Sequence, residues 1–288
     1  MTRRYVSPTG KRRKVPELPE VETVRRAMER HLVGRRIADI WTSGKRLREP
    51  QPRARLKSLV GERFEEARRR AKYLLLAVDS GRVLLVHLGM TGNLIFRPNP
   101  QERDLQKHDH LIIGLDSGPP LVFADPRRFG LLLVLDSAEL ETSPYLSKLG
   151  VEPLSSDFDA EYLRNACRGR KRPIKNILLD GRVVVGIGNI YASEALFHAG
   201  IRPAARAGRL TRAQLGTLTH EIKMVLRRAV RQGGTTINDY LGSGEGGRFQ
   251  QELAVYGRTD EDCLVCERPV KSVVLAGRSS FYCANCQK

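Results

Sequence analysis

Residues 72–88, KYLLLAVDSGRVLLVHL, decide the architecture of the first half of the chain. Two short apolar runs, Lys72–Val78 and Val83–Leu88, flank Asp79-Ser80-Gly81, whose residue types are typical of a tight turn. Similar short runs follow at Leu111–Leu115, Leu121–Ala124 and Leu131–Leu135. Short strands at this spacing predict an antiparallel β-sandwich between residues 36 and 135.

Helical patterns flank the predicted sandwich on both sides. Apolar residues at spacings of three and four predict a helix near residues 19–32. Beyond residue 156, further helices are predicted at Asp159–Cys167, Ile174–Asp180 and Asn189–His198. Thr211 and Gln214 have the spacing of a capping box, and the helical pattern that follows them stops at Gly233-Gly234. The sequence therefore predicts an α+β protein in which a helical region follows the sandwich.

Four of the five cysteines lie close to the C-terminal end, in the pattern Cys263-x2-Cys266-x16-Cys283-x2-Cys286. This spacing is typical of a tetrahedral zinc site with four thiolate ligands, and sixteen intervening residues suffice for a β-hairpin. Disulfide bonds are the alternative, but no feature of the sequence indicates an oxidising compartment. We therefore expect one structural Zn²⁺ per chain, with Cys167 as an ordinary core residue.

The chain has 288 residues and a strong excess of positive charge. It contains 50 Lys and Arg residues against 32 Asp and Glu residues, a formal net charge of +18. Such an excess indicates a polyanionic partner, most simply nucleic acid, and a basic surface kept for solubility is the alternative. The basic runs at residues 68–72 and 168–172 are candidates for neutralising backbone phosphates.

The apolar runs give no indication of a membrane protein. The longest of them are far shorter than a membrane span, and no apolar segment of the signal-peptide type follows the basic N-terminus. A secreted or membrane-spanning protein is therefore not expected.

Motifs that follow one another along the chain resemble those of formamidopyrimidine-DNA glycosylases. The resemblance runs from Pro16 to Lys288 with essentially no gap. It rests on the zinc module and on PELPEVET (16–23), RAKYL (70–74), HLGMTG (87–92), KHDH (107–110), DPRRFG (125–130), VGIGNIYASE (185–194) and QGGTT (232–236). Each motif is modest evidence by itself, whereas the ordered set is highly specific.

The resemblance implies a bifunctional base-excision repair enzyme. Such an enzyme excises oxidised purines, chiefly 8-oxoguanine and formamidopyrimidines, from damaged double-stranded DNA and then nicks the strand by β,δ-elimination. It would act as a monomer in the bacterial cytoplasm, associated with the nucleoid. The implied organisation is a basic extension (1–15), a catalytic β-sandwich domain (16–150), a helical helix–two-turn–helix DNA-binding domain (151–250) and a β-hairpin zinc finger (251–288).

Four residues are implied by the resemblance to act in catalysis. Pro16 would be the nucleophile, because an α-amino group has a pKa of about 8 and is neutral near pH 7 far more often than a lysine amine. Glu17 would be the general acid that protonates the opening sugar. Lys72 would assist elimination at the lesion phosphate, and Arg278 would grip a phosphate during the second elimination.

The resemblance also implies a set of DNA contacts. A target base must be flipped out of the helix and the hole filled, and the residues implied to fill it are Met90, Arg127 and Phe129. The residues implied to contact phosphates are His108, Lys171, Lys175 and Asn189. Glu20 and Glu194 match positions near the lesion pocket, and the glycine-rich segment 242–247 matches a lid over the flipped base.

The chain departs from the family pattern at one important point, because fifteen residues precede Pro16. A proline nitrogen in an amide bond is not nucleophilic, so the sequence as written is expected to be inactive as a lyase. Either the extension is cleaved, or translation begins at codon 15, since Val15 can be encoded by GTG, a bacterial start codon. A retained basic arm that blocks the site is the remaining alternative.

Three other functions compete with this interpretation. An endonuclease VIII-type glycosylase would prefer oxidised pyrimidines, but Leu18 and the Arg127/Phe129 pair argue against it. A non-catalytic damage binder would keep Pro16 permanently blocked. A general zinc-finger regulator would give no account of Pro16, Glu17 and Lys72 together.

Overall fold

The computed structural model describes residues 15–97, 105–235 and 252–288. The chain divides into two compact units. The first contains Met1–Leu146 together with Gly233–Gly247, and the second contains Ser147–Gln232 together with Arg248–Lys288. The helical region and the zinc module therefore belong to one unit. The basic residues 1–14 and the predicted lid at 242–247 lie outside the described residues.

The described residues of the first unit form two antiparallel sheets and two α-helices. Helix α1 spans Leu18–His31 and α2 spans Arg53–Lys57. One sheet has the strand order β1 (Ile37–Thr42), β6 (Asp109–Leu115), β7 (Leu121–Ala124) and β5 (Asn93–Phe96). The other has the order β2 (Phe64–Arg70), β3 (Tyr73–Val78), β4 (Arg82–His87) and β8 (Leu131–Asp136).

A large hydrophobic core joins these elements. It contains buried side chains from both sheets and from α1, including Met28, Phe64, Leu84 and Phe123. Helix α1 packs on β2 and β3 and buries its apolar stripe together with Glu20. The predicted sandwich and its first helix are confirmed.

The second unit is helical and ends in a hairpin. Its elements are α3 (Ala160–Cys167), α4 (Ile174–Leu178), α5 (Asn189–His198), α6 (Arg212–Arg231), β9 (Lys271–Leu275) and β10 (Arg278–Tyr282). The predicted helix at Ile174–Asp180 ends two residues early, because the Asp180 carbonyl accepts the N–H groups of Val183 and Val184 in a turn. The prediction of an α+β fold with a C-terminal hairpin is confirmed.

Helix α6 begins at the predicted capping box. The Gln214 N–H donates to Thr211 Oγ1 over 3.2 Å, and the Thr211 N–H donates to Gln214 Oε1 over 2.9 Å. Each side chain thus satisfies a backbone donor that the first helical turn leaves without a partner. The start of the longest helix in the described chain follows from two residues that the sequence already identified.

Removing this cap is expected to lower stability. Thr211→Ala should reduce the free energy of unfolding by about 1 kcal/mol, because the Gln214 N–H loses its acceptor. Urea denaturation measures the change. Thr217→Ala is the matched control, since Thr217 is exposed inside α6 and alanine is the better helix former there. Equal destabilisation by both variants would contradict a capping role for Thr211.

Candidate active site

A pocket in the first unit gathers residues from distant parts of the sequence. Its volume is about 380 Å³. The lining residues are Val15, Pro16, Arg48, Lys72, His87, Gly89, Met90 and Phe129. Two predicted catalytic residues, Pro16 and Lys72, thus line one pocket together with Met90 and Phe129. The latter two are predicted to fill the gap that a flipped base leaves in the DNA.

Helix α1 begins at Leu18, two residues after Pro16, and its first residues are buried. Glu17 is only 2% exposed and occupies the N-cap position. Its backbone N–H donates to Glu20 Oε2 over 2.9 Å. This bond holds the residue that caps the helix directly after Pro16, which lines the pocket.

Glu20 is equally buried and binds a second segment. Its Oε1 accepts the backbone N–H of Thr235 over 2.8 Å and the Thr235 hydroxyl over 3.0 Å. The carboxylate therefore joins the start of α1 to the chain just before residue 236, where the described region ends. Its predicted role near the lesion pocket stays a prediction.

Strand register places Lys72 and His87 at one end of the β3–β4 pair. Lys72 directly precedes β3, and Tyr73 at the start of β3 is the Cα partner of His87 at the end of β4. The Tyr73 and His87 rings lie 4.8 Å apart. A lysine and a histidine that are distant in sequence thus meet beside Pro16.

His87 is held as a neutral imidazole. Its Nδ1 accepts the Gly89 backbone N–H over 2.9 Å and lies 3.2 Å from Arg48 Nη2, a guanidinium that can only donate. Burial, together with the positive charges of Arg48 and Lys72, lowers the pKa of His87 to about 3. Since Nδ1 is an acceptor, the ring proton resides on Nε2, which makes that nitrogen a donor.

The predicted void-filling residues lie on two loops of the same unit. Met90 follows β4, and Arg127 and Phe129 lie between β7 and β8. Phe129 is 43% exposed, and the Arg127 guanidinium carbon lies 4.7 Å from the centre of its ring. An exposed aromatic ring beside an exposed guanidinium is suited to contacts with a base. His108 is half-buried and lies just before β6.

One arginine of the first basic run is engaged within the protein. Arg68, Arg69 and Arg70 form the last residues of β2. Arg69 Nε lies 3.1 Å from Glu22 Oε2 with only 11% of its side chain exposed, whereas Arg68 pairs with Glu66 at the surface and is half exposed. A phosphate contact by this run stays a prediction.

Three predicted DNA contacts of the second unit meet at the hairpin. Arg278 is exposed at the start of β10, directly after the turn. The neighbouring Ser279 carbonyl accepts Asn189 Nδ2 over 2.9 Å and Lys175 Nζ over 3.4 Å. Both side chains thus hold the backbone beside Arg278. Lys171 is exposed in the second basic run.

Lys175 has an unusual environment for a predicted phosphate contact. Its side chain is 0% exposed, and Nζ donates to Ser193 Oγ over 2.9 Å and to Ser280 Oγ over 3.0 Å. In this structure the ammonium therefore acts on the hairpin and has no exposed surface with which to reach a phosphate. No pattern around Lys175 in the sequence indicates this environment, because the two serines lie in other elements.

Glu194 also has a structural environment. Its carboxylate is buried and accepts three backbone N–H groups, those of Ala254, Val255 and Tyr256, over 2.7 to 3.0 Å. These bonds fix the segment that leads into the zinc module. A contact between Glu194 and the lesion stays a prediction.

The four C-terminal cysteines form a compact cluster. Their Sγ atoms all lie within 4.8 Å of one another, with 3.9 Å between Cys263 and Cys286 and 3.5 Å between Cys266 and Cys283. Tetrahedral zinc with Zn–S bonds of about 2.3 Å requires sulfur–sulfur distances of about 3.8 Å. The cysteines therefore fit a closed Zn²⁺ site, in which the metal stabilises the fold and no position is open to substrate.

Two polar residues of the pocket, His87 and Arg48, were not predicted from the sequence. His87 lies in a quoted motif, but its place beside Pro16 depends on the pairing of β3 with β4. Arg48 lies in an irregular segment between β1 and α2, where no periodicity marks it. A histidine in a family motif was the available signal for the first, and the sequence carried no signal for the second.

The geometry of each unit agrees with comparisons to known proteins. Three family models match: the formamidopyrimidine-DNA glycosylase N-terminal domain at residues 15–132, the H2TH domain of the same glycosylases at 149–240, and a zinc finger found in FPG and IleRS at 260–288. Together they describe a DNA glycosylase with a helical DNA-binding domain and a zinc finger.

Individual proteins and solved structures agree with the models. Formamidopyrimidine-DNA glycosylases of Thioalkalivibrio sulfidiphilus and Stutzerimonas stutzeri are 50% and 47% identical over 275 residues, which cover 95% of this chain and 100% of each relative. A Lactococcus lactis FPG mutant in complex with a Fapy-dG containing DNA has a TM-score of 0.87 at 33% identity, over 95% of this chain and 100% of that one. MutM (FPG) from Thermus thermophilus has a TM-score of 0.82 at 38% identity, over 94% and 98%.

This chain belongs to the formamidopyrimidine-DNA glycosylase family. Members of the family are DNA glycosylases with AP lyase activity, so the chain is a bifunctional enzyme. The resemblance and the zinc prediction are both confirmed. Along the ranges 15–97, 105–235 and 252–288, no helix combines the length and apolarity that crossing a membrane requires.

The zinc site leads to a prediction about metal content. The purified wild-type protein should contain one zinc ion per chain by elemental mass spectrometry, and Cys266→Ala should lose most of it because three thiolates do not close the tetrahedron. Cys167→Ala is the matched control, since burial raises the pKa of the Cys167 thiol to about 11 and the residue lies in the helical core. Loss of zinc from both variants alike would contradict the assignment.

His87 leads to a prediction about pH. With its pKa at about 3, the imidazole gains a proton only in strong acid, and its titration cannot produce an acidic limb near the ordinary value of 6.5. In a pH profile of strand cleavage, His87→Gln should therefore lower the rate but keep the position of any acidic limb. A limb near pH 6.5 that this substitution removes would show that His87 titrates normally.

Proposed function

We propose that this protein removes oxidised purines, chiefly 8-oxoguanine and formamidopyrimidines, from double-stranded DNA through a Schiff base on Pro16. The observation that carries the proposal is the pocket shared by Pro16 and Lys72. Further support comes from solved structures of Lactococcus lactis Fpg in complex with DNA containing Fapy-dG and with DNA containing an abasic site.

The reaction starts with the Pro16 amine as nucleophile. Its nitrogen bonds to C1′ of the sugar while the bond from C1′ to the base breaks and the base leaves with a proton. Glu17, beside the nucleophile and at the N-terminus of α1, protonates O4′ as the sugar ring opens to the iminium. The same carboxylate can then accept and return protons as the reaction proceeds.

The strand is then cut in two eliminations. Loss of a C2′ proton expels the 3′ phosphate, and loss of a C4′ proton expels the 5′ phosphate, which leaves the sugar remnant on the enzyme until water hydrolyses the imine. Lys72 lies in the pocket wall, where its ammonium would stabilise a departing phosphate. Arg278 would do so in the second elimination from its exposed place after the hairpin turn.

DNA binding has separate contributions from the two units. In the first, Met90, Arg127 and Phe129 fill the hole left by the flipped nucleotide, and His108 contacts a phosphate. In the second, Lys171 and Asn189 contact phosphates, and Lys175 supports the interface through the backbone of the hairpin. The net charge of +18 favours association with duplex DNA through release of counterions.

The proposed organisation keeps a catalytic domain at 16–150, a DNA-binding domain at 151–250 and a zinc finger at 251–288. A monomer suffices for the reaction, since all the proposed groups belong to one chain. We place the enzyme in the bacterial cytoplasm, where its chromosomal substrate is found.

The mechanism requires that the Pro16 nitrogen become a free amine. We infer that the mature enzyme begins at Pro16, either because residues 1–15 are removed or because translation begins at codon 15 and the initiator is cleaved. The family model begins its match at residue 15, and relatives align over their full length while leaving about 5% of this chain unmatched. Both observations support a start at this point.

The proposal predicts different outcomes for two forms of the protein. The form that begins at Pro16 should be trapped by borohydride on a duplex with 8-oxoguanine opposite cytosine, because reduction converts the imine to a stable amine. The form with residues 1–15 retained should bind the duplex without being trapped. Denaturing gel electrophoresis measures the cross-linked fraction.

Two controls make the result decisive. Glu17→Gln in the Pro16 form should greatly reduce base excision while leaving binding intact, since the amide cannot donate a proton to O4′. A duplex with thymine glycol should be trapped less than the 8-oxoguanine duplex, and the reverse order would favour an endonuclease VIII-type enzyme. Absence of trapping for both forms, with binding retained, would favour the non-catalytic damage binder.

A further inference from the structure

Asp125 is a buried carboxylate in the first unit to which the mechanism above gives no role. It is 0% exposed. Oδ1 accepts the Thr91 hydroxyl over 2.5 Å and the Arg127 backbone N–H over 3.2 Å, and Oδ2 accepts the Gly130 backbone N–H over 2.8 Å. Burial of a charged group is costly unless hydrogen bonds satisfy it, and these three donors do so.

Each of the three donors belongs to a proposed void-filling residue or to the residue that directly follows one. Thr91 directly follows Met90, the second donor is the backbone of Arg127 itself, and Gly130 directly follows Phe129. One carboxylate therefore bonds to the two loops that carry all three side chains. The Arg127 N–H also lies 3.2 Å from Thr91 Oγ1, which links the loops a second time.

The two loops are also packed backbone against backbone. A Cβ added to Gly89 would lie 2.5 Å from the Phe129 carbonyl carbon and 2.6 Å from the Gly130 nitrogen. A Cβ added to Gly130 would lie 2.5 Å from Phe123 Cζ. The space beside Gly89 and Gly130 is thus too small even for a Cβ atom. Because the loops are packed this closely, each restricts movement of the other.

The loop that contains Asp125 is bonded to residues at the start of β6. The Asp125 N–H donates to the His108 carbonyl over 2.9 Å, and the Asp125 carbonyl lies 3.0 Å from His110 Nε2. The His110 Nδ1 in turn lies 3.0 Å from Ser43 Oγ. Both ring nitrogens of a buried histidine are thus engaged in holding the loop that contains Asp125.

We propose that Asp125 is a positioning residue that holds Met90, Arg127 and Phe129 together as one preformed wedge. The side chains are exposed or half-exposed while their backbones are fixed from below, so little order has to be gained when DNA arrives. This inference rests on the proposed function, since it requires that the three side chains fill the gap in the DNA duplex when a base is flipped out.

The test compares Asp125→Asn in two backgrounds, using protein that begins at Pro16. An amide presents only one acceptor oxygen, so either the Gly130 N–H loses its bond to Asp125, or the Thr91 hydroxyl and the Arg127 N–H both lose theirs. In the wild-type background, single-turnover excision of 8-oxoguanine should fall about tenfold or more, the scale of losing hydrogen bonds to a buried carboxylate. In a background of Met90→Ala, Arg127→Ala and Phe129→Ala, the same substitution should cause no further loss.

Non-additivity is the decisive readout. Equal losses in both backgrounds would mean that Asp125 acts only through general stability, and no loss in either would mean that it positions nothing; both outcomes overturn the inference. Thr91→Val, which removes one donor and keeps the shape, should give a smaller loss with the same dependence on background. It keeps the test valid if Asp125→Asn fails to fold.

Two further controls separate this inference from the proposed function. Glu22→Gln changes a carboxylate of α1 that pairs with Arg25 and Arg69, and it should lower the melting temperature without a background-dependent effect on excision. Wild-type protein that does not excise 8-oxoguanine would overturn the proposed function itself. Full activity of the triple alanine variant would overturn the wedge, and with it the role of Asp125, while leaving the glycosylase activity established.

Discussion

The position of the Pro16 nitrogen is the constraint on which the rest of the account depends. In the proposed mechanism this secondary amine must be free and held beside the sugar, and the start of α1 holds Pro16 in the pocket wall. The Glu20 carboxylate accepts the N–H of Glu17 and both donors of Thr235. Because that carboxylate is buried, the residue that caps α1 is fixed, and the proposed general acid lies next to the proposed nucleophile.

The surroundings of Pro16 are strongly cationic. Arg48 and Lys72 line the same pocket, and their charges add to burial in keeping His87 neutral. Positive charge near the amine favours its deprotonated form and attracts the phosphates on either side of a damaged nucleotide. The pocket therefore suits a reaction in which a neutral amine attacks and anionic phosphates leave.

Much of the fold could be predicted from the sequence, and the missed parts have a physical reason. Strands β3, β4, β6, β7 and β8 were found because each contains a plain apolar run, whereas β1, β2 and β5 were missed. Strands β1 and β2 each have a register irregularity near the start, between Ile37 and Asp39 and between Phe64 and Glu66. An extra residue breaks the period of two on which strand prediction depends.

The candidate site likewise contains residues that the sequence identified and residues whose roles only the structure shows. Motifs identified Pro16 and Lys72, and the fold then placed them in one pocket, although their roles stay predictions. The roles of Lys175 and Asp125 depended on partners from other elements: the ammonium meets two serine hydroxyls, and the carboxylate meets two loops. Sequence pattern marks such residues as charged, and only the tertiary structure shows that they are buried and what they hold.

The most direct test is to locate the covalent link between enzyme and DNA. The protein is expressed from its own gene, trapped with borohydride on a duplex containing 8-oxoguanine, digested and analysed by mass spectrometry. The account predicts a peptide that begins at Pro16 and carries the sugar remnant on its N-terminal nitrogen. A remnant on the Nζ of Lys72 or another lysine, or on a chain that retains residues 1–15, would contradict it.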